Sequence, residues 1–225
     1  KDLKMIAMPS KFVAFDLETT GLNNQKDEII EIGAVKFTVE TKNDRVVPKL
    51  VSEFETFVKP SMLIPAEATR VNHITNDMVE NAPGINDALR KFTGFCGQGT
   101  ILIAHNANFD ASFLREAYKK NPQMIPGNPV IDSLVIARTV LPELTDEAGK
   151  HNHKLGFLAN MFQRRGEIAM KIESEKMHRA VYDCLMLMEV FVALLRRRFK
   201  EKDWEMGNIM AAMAKYKGLP QFLNK

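Results

Sequence analysis

The 225-residue sequence predicts an α/β domain: a mixed sheet whose first three strands run antiparallel, with helices on both faces. Three observations carry this. Residues 12–58 hold three apolar, β-branched runs joined by short polar links, the pattern of an antiparallel meander. From residue 86 onward a short apolar run alternates with segments of helical period. The hydrophobic content of 45% is enough for a full core, and no repeat or low-complexity tract interrupts it.

The elements follow in order. Residues 12–21, FVAFDLETTG, read as a buried strand leading into a turn at Thr19, Thr20 and Gly21. Residues 29–39, IIEIGAVKFTV, form a second strand, residues 40–45 a charged linker, and residues 46–58 a third strand stopped by Pro60. A short helix is expected over 64–71, and Thr75 is placed to cap another over 76–80, which Pro83 ends. Residues 86–96 make an amphipathic helix with Ala88, Leu89, Phe92 and Phe95 on one side. A short strand at 100–104 is broken at 105–108 and followed by a helix over 110–120. Pro122, Pro126 and Pro129 mark an irregular loop, after which Asp132 or Ser133 caps a helix over 134–141. A polar stretch at 144–153 leads to a helix at 155–163, then to a charged loop at 164–176. Ala180–Arg198 is the strongest helix, with Val181, Cys184, Leu185, Met188, Phe191, Val192 and Leu195 at helical spacing.

Composition narrows the function classes. No apolar run reaches the length of a transmembrane helix, and the first ten residues lack the apolar core of a signal peptide, so a membrane partner is not expected. Cys96 and Cys184 are far apart and fit a reducing compartment, which points to the cytoplasm. A formal charge of +3 is too small to establish a polyanion partner. The basic residues clustered late, including Arg196-Arg197-Arg198, read as a solvated helix face.

Asp16 and Glu18 are two apart on one strand and so project from the same face, with Leu17 turned away. Two carboxylates ending so apolar a run repel each other unless they share a cation. Asp110 follows the strand at 100–104, and the carboxyl ends of strands are where ligands gather in open α/β sheets. Asp183 lies near the start of the strongest helix. His178 is five residues earlier, which on one helix would put it about 140° off that face, so it is placed on the preceding loop. Alone, Asp110 reads as a first-turn helix acid, His178 as a loop histidine and Asp183 as a surface acid. Taken together, an all-oxygen set selects Mg²⁺ or Mn²⁺ over zinc. His151 and His153 read as exposed loop residues, and Asp132 as a helix N-cap.

These residues stand in three motifs: FDLETTG at 15–21, HNANFD at 105–110 and HRAVYD at 178–183. The ordered trio resembles the DEDDh (DnaQ-like) 3′–5′ exonuclease family, on a ribonuclease-H-like fold, and is similar to the DNA polymerase III epsilon proofreading subunit. VNHITNDMV at 71–79 and HKLGFLANMF at 153–162 also look like family segments, although His73 stands where the family often has glycine. The resemblance implies that Asp16, Glu18, Asp110 and Asp183 are catalytic and hold two Mg²⁺ or Mn²⁺ ions, with His178 as general base. It implies a substrate site built from Thr19, Thr20, Gly21, Leu22, His105, Asn106 and Phe109, in which Thr20 and Gly21 offer N–H groups and Leu22 and Phe109 offer apolar faces.

The domain would then span residues 11–198, between an N-terminal extension at 1–10 and a C-terminal helical tail at 199–225. The implied reaction is hydrolysis of phosphodiesters at single-stranded or frayed 3′ ends of DNA, releasing nucleoside 5′-monophosphates, with a DNA polymerase as a candidate partner. An exoribonuclease of the oligoribonuclease or RNase T kind, and a catalytically silent module that binds nucleic acid or a polymerase, are the alternatives that the motifs leave open.

Overall fold

The computed structural model describes residues 11–119 and 126–199. The extension at 1–10, Pro122 and the tail beyond 199 therefore lie outside the described residues. Five strands form one sheet: β1 (Phe12–Thr19), β2 (Ile29–Lys42), β3 (Arg45–Phe57), β4 (Ile101–Ala104) and β5 (Val130–Asp132). Their spatial order is β3-β2-β1-β4-β5. The β1–β2 and β2–β3 pairs are antiparallel, while β4 lies parallel to β1 and β5 parallel to β4. The mixed sheet with an antiparallel first half is thus as expected.

Two parts of the strand layout differ from the expectation. The linker at 40–45 is mostly strand, because Asn43 and Asp44 both take positive φ (50° and 57°) and close β2 and β3 as a two-residue hairpin. The proline-marked loop ends in β5, too short to show a period. Its approach is secured when the Leu102 N–H donates to the Pro129 carbonyl at 2.9 Å.

Among the described residues seven α-helices accompany the sheet: α1 (Ala66–Asn72), α2 (Asn76–Val79), α3 (Ile85–Cys96), α4 (Ala107–Tyr118), α5 (Ser133–Val140), α6 (Leu155–Arg164) and α7 (Ala180–Arg198). β1 is central and buried on both sides. Phe12 and Ala14 face the core shared with α5, α6 and α7, while Val13, Phe15 and Leu17 face the core of α3 and α4. The alternation continues past Phe15, so Asp16 and Glu18 fall on the α7 side.

α7 lies on β1, β2 and β3 and is itself covered by α5 and α6, so residues 190–195 are all buried. It approaches β2 closely at Gly33, where an added Cβ would sit 2.4 Å from the Ala180 carbonyl carbon and the Val181 nitrogen. Its basic end is solvated at Arg197 and Arg198, as expected, but two of its charges are also engaged within the protein. Arg196 donates to the Val46 carbonyl at 2.7 Å and to the Glu167 carbonyl, and Arg197 pairs with the Glu167 carboxylate at 2.5 Å. These charges tie the end of α7 to the start of β3 and the loop after α6. Among the described residues no helix is long and apolar enough to cross a membrane.

Candidate active site

β1 ends in a bulge between Glu18 and Thr19, a common device for re-aiming a strand-end side chain. Carboxylate oxygens of Asp16, Glu18 and Asp183 all lie within 4.8 Å of one another. Asp110, in the first turn of α4, joins them from across the end of the sheet: its Oδ1 accepts the Leu17 N–H at 3.2 Å. α4 begins at Ala107 and not at 110, because the N–H groups of Asn106 and Ala107 both donate to the Asp132 carboxylate at 3.1 Å. Asp132 also caps α5 through the Leu134 N–H at 2.9 Å, as its N-cap reading requires. One carboxylate therefore starts two helices and sets where Asp110 falls.

The electrostatics are those of a site built for cations. Burial and the neighbouring acids push Asp16 well above the carboxylate range, Glu18 up to about 9, Asp110 to about 8 and Asp183 to about 7. Burial is the largest cause in each case, and hydrogen bonds from the Leu17 and His178 backbones only partly oppose it at Asp110 and Asp183. Without a cation these groups hold protons; a divalent ion at their centre would remove that penalty. The donor set is all oxygen and so fits Mg²⁺ or Mn²⁺.

His178 stands on the turn before α7, in a left-handed conformation (φ 62°), and its N–H donates to Asp183 Oδ1 at 3.2 Å. The turn thereby joins the exposed imidazole to the acid cluster through the backbone. Burial above all, with His73 and Lys154, lowers the pKa of its ring. The turn is anchored by Glu31, a carboxylate of β2 with no exposure. Glu31 accepts from Arg179 Nη2 at 2.7 Å, Arg179 Nε at 3.2 Å and the Ala180 N–H at 3.0 Å. Arg179 reaches on to Glu55 at 3.3 Å and lies over the Phe57 ring.

Several of the expected substrate contacts are directed elsewhere. The Thr20 N–H, expected to face a ligand, donates to the Glu28 carbonyl, and its hydroxyl accepts the Glu28 N–H, both at 2.9 Å. The Thr19 hydroxyl donates to the Gly21 carbonyl. Gly21 lies against Asp27, where a Cβ would be 2.5 Å from the carboxylate. Leu22 is 86% exposed beside this turn, and half-buried Phe109 packs on Phe113 with centroids 5.0 Å apart. Asn106 is exposed, with φ 68°.

Both ring nitrogens of His105 are engaged within the protein. Nε2–H donates to the His153 carbonyl at 2.8 Å, and Nδ1 meets the Ser133 hydroxyl at 2.8 Å. Burial lowers its pKa to about 4, so the ring is neutral. His153, expected on an exposed loop, is buried, and its Nε2–H donates to the Leu141 carbonyl.

Sequence reasoning passed over Glu31, Gly33, Arg179 and Asn72, and read Ser133 only as a candidate helix cap. Asn72 is buried at the end of α1. Its amide donates to the Thr19 carbonyl at 3.2 Å and hydrogen-bonds Glu18, opposing the rise of that carboxyl. An acid inside the apolar run IIEIGAV was a readable signal for Glu31. The others depend on contacts between distant segments.

Four carboxylates gathered at the carboxyl end of the central strand, beside the turn that carries His178, form a set that could hold divalent cations. The chain belongs to the RNase T exonuclease family, whose model matches residues 13–191. It is 36% identical over 190 residues to the DNA polymerase III subunit epsilon of Treponema pallidum, covering 84% of this chain and 79% of that protein. It is 39% identical over 191 residues to the PolC-type DNA polymerase III of Caldanaerobacter subterraneus subsp. tengcongensis, covering 85% of this chain but only 12% of that much longer protein. Among solved structures, exonuclease X in complex with 5′ overhanging duplex DNA superposes with TM-score 0.58 at 21% identity, covering 88% of this chain and 99% of that one. Escherichia coli exonuclease I in complex with a dT13 oligonucleotide gives 0.67 at 18% identity, covering 90% and 46%. At these identities the two structures establish the shared fold.

Proposed function

We propose that the protein is a 3′–5′ exonuclease that hydrolyses the terminal phosphodiester of DNA and releases nucleoside 5′-monophosphates. The observation that carries this reading is the convergence of Asp16, Glu18 and Asp183 within 4.8 Å, beside Asp110 and the His178 turn. Asp16, Glu18, Asp110 and Asp183 would hold two divalent cations, Mg²⁺ or Mn²⁺, which would supply charge neutralisation at the scissile phosphate and activation of the attacking water. The chain's own part is positioning and proton transfer. The imidazole of His178, its pKa lowered by burial, accepts a proton from the water as it attacks phosphorus. The bond from phosphorus to the 3′-oxygen breaks, and that oxygen takes a proton from solvent, leaving a 3′-hydroxyl on the shortened strand. Leu22 and Phe109, with the Thr19–Gly21 turn and Asn106, flank the terminal nucleotide, and the exposed Leu22 side chain suits contact with a base face.

Relatives named as DNA polymerase III subunits support DNA as substrate and a polymerase as partner, and a replication role would place the protein in the cytoplasm. The test is a matched pair of end-labelled DNA and RNA single strands incubated with Mg²⁺ or Mn²⁺, with product sizing. Stepwise 5′-monophosphate release from DNA, abolished by EDTA, is expected. Faster release from RNA would change the substrate. A tight oligonucleotide complex with no release would reduce the protein to a binding module.

A further inference from the structure

His73 ends α1 in the left-handed conformation (φ 61°, ψ 14°), with its N–H on the Thr69 carbonyl at 2.8 Å. Glycine takes this cap position with least strain, and the chain spends an exposed histidine on it. Strain kept where a simpler residue would relieve it points to use of the side chain. The residue before it is pinned to the site: Asn72 holds the Thr19 carbonyl and Glu18, and its Oδ1 accepts the Ile74 N–H at 3.1 Å. The exposed His73 therefore follows directly on a residue held against Glu18.

Lys154 is exposed at the N-cap of α6, which docks on the turn carrying His178, because Gly156 lies where a Cβ would be 2.1 Å from Met177 Cε.

A cluster of four carboxylates repels a polyanion. Cations at its centre serve the scissile phosphate, but the neighbouring phosphates need donors on the rim. At the end of α7, Arg196 and Arg197 are already engaged by the Val46 carbonyl and Glu167. We propose that His73 and Lys154 are substrate-positioning residues that grip phosphate oxygens of the bound strand beside His178. This rests on the exonuclease reading above.

The test is steady-state hydrolysis of a single-stranded DNA oligonucleotide in Mn²⁺ over a range of salt, with thermal unfolding of each variant. His73→Gly should raise KM about fivefold to tenfold, the size of one hydrogen bond, and leave kcat within about twofold. Its thermal midpoint should equal or exceed that of wild type, because glycine relieves the backbone. His73→Asn, which tolerates the same backbone and keeps a donor, should recover most of the KM. Lys154→Ala should raise KM and flatten the slope of log(kcat/KM) against log[salt] by about 0.7, one phosphate contact on a single strand. A wild-type enzyme that releases mononucleotides, with His73→Gly unchanged in KM, would overturn the inference. So would a fall in kcat at constant KM, which would place the effect on His178. A wild type that releases no mononucleotide overturns the exonuclease reading instead, and with it the basis for this one.

Discussion

Replacing Arg179 with alanine removes the guanidinium that faces Glu31. The carboxylate has no exposure, and after the change it keeps only the Ala180 N–H at 3.0 Å out of three donors. Breaking a buried ion pair from one side typically costs about 3–5 kcal/mol, because the remaining charge is neither paired nor hydrated. For a domain of this size, about 2–4 °C of midpoint per kcal/mol makes that a fall of roughly 6–20 °C. The double variant Glu31→Gln/Arg179→Ala should regain most of this, since the glutamine oxygen still accepts the Ala180 N–H and leaves no charge behind. Denaturation of wild type, both singles and the double at pH 7 without divalent ions closes the cycle. A loss below about 1 kcal/mol for Arg179→Ala, or a double variant as unstable as the sum of the singles, would refute the reasoning. Activity should fall with it, because the same turn carries His178 and leads to Asp183.

Gly33→Ala should be destabilising by about 1–3 kcal/mol, since its Cβ meets backbone atoms at 2.4 Å and the start of α7 must move. Turnover should drop about tenfold or more although Gly33 has no functional group, and a variant with wild-type stability and rate would contradict this. Stability of the metal-free protein should fall from pH 6.5 to 9. The folded chain holds protons on Glu18 (about 9), Asp110 (about 8) and Asp183 (about 7) that the unfolded chain has already released, so rising pH favours unfolding. His105 does not interfere in that window, since its effect runs between about 4 and 6.5. Mn²⁺ at about 100 times its Kd should raise stability by about 2.7 kcal/mol, and a midpoint unmoved by either pH or metal would count against the site. His178→Ala should lose about 10²- to 10⁴-fold in rate yet keep the metal-dependent rise in midpoint, whereas Asp16→Ala should lose both; a His178→Ala enzyme as fast as wild type would end the general-base role.

What the sequence determined by itself was whatever depends on near neighbours along the chain. The two-residue alternation of a strand puts Asp16 and Glu18 on one face, and five residues on a helix keep His178 off the face of Asp183, so the site's acids and the turn position of His178 were legible. The hairpin at Asn43-Asp44 and the short β5 were not, because a turn's positive φ and a three-residue strand leave little periodic trace. Only the tertiary structure decided what fixes the site in place. Glu31 and Arg179 are 148 residues apart and Leu17 and Asp110 are 93 apart. Gly33 matters because a helix from the far end of the chain crosses it, and His105 is internal because Ser133 and His153 arrive at its ring. The physical reason is one of range: periodicity records which way a side chain points from its own backbone, whereas burial, pairing and the rise in carboxyl pKa depend on what folding brings to meet it.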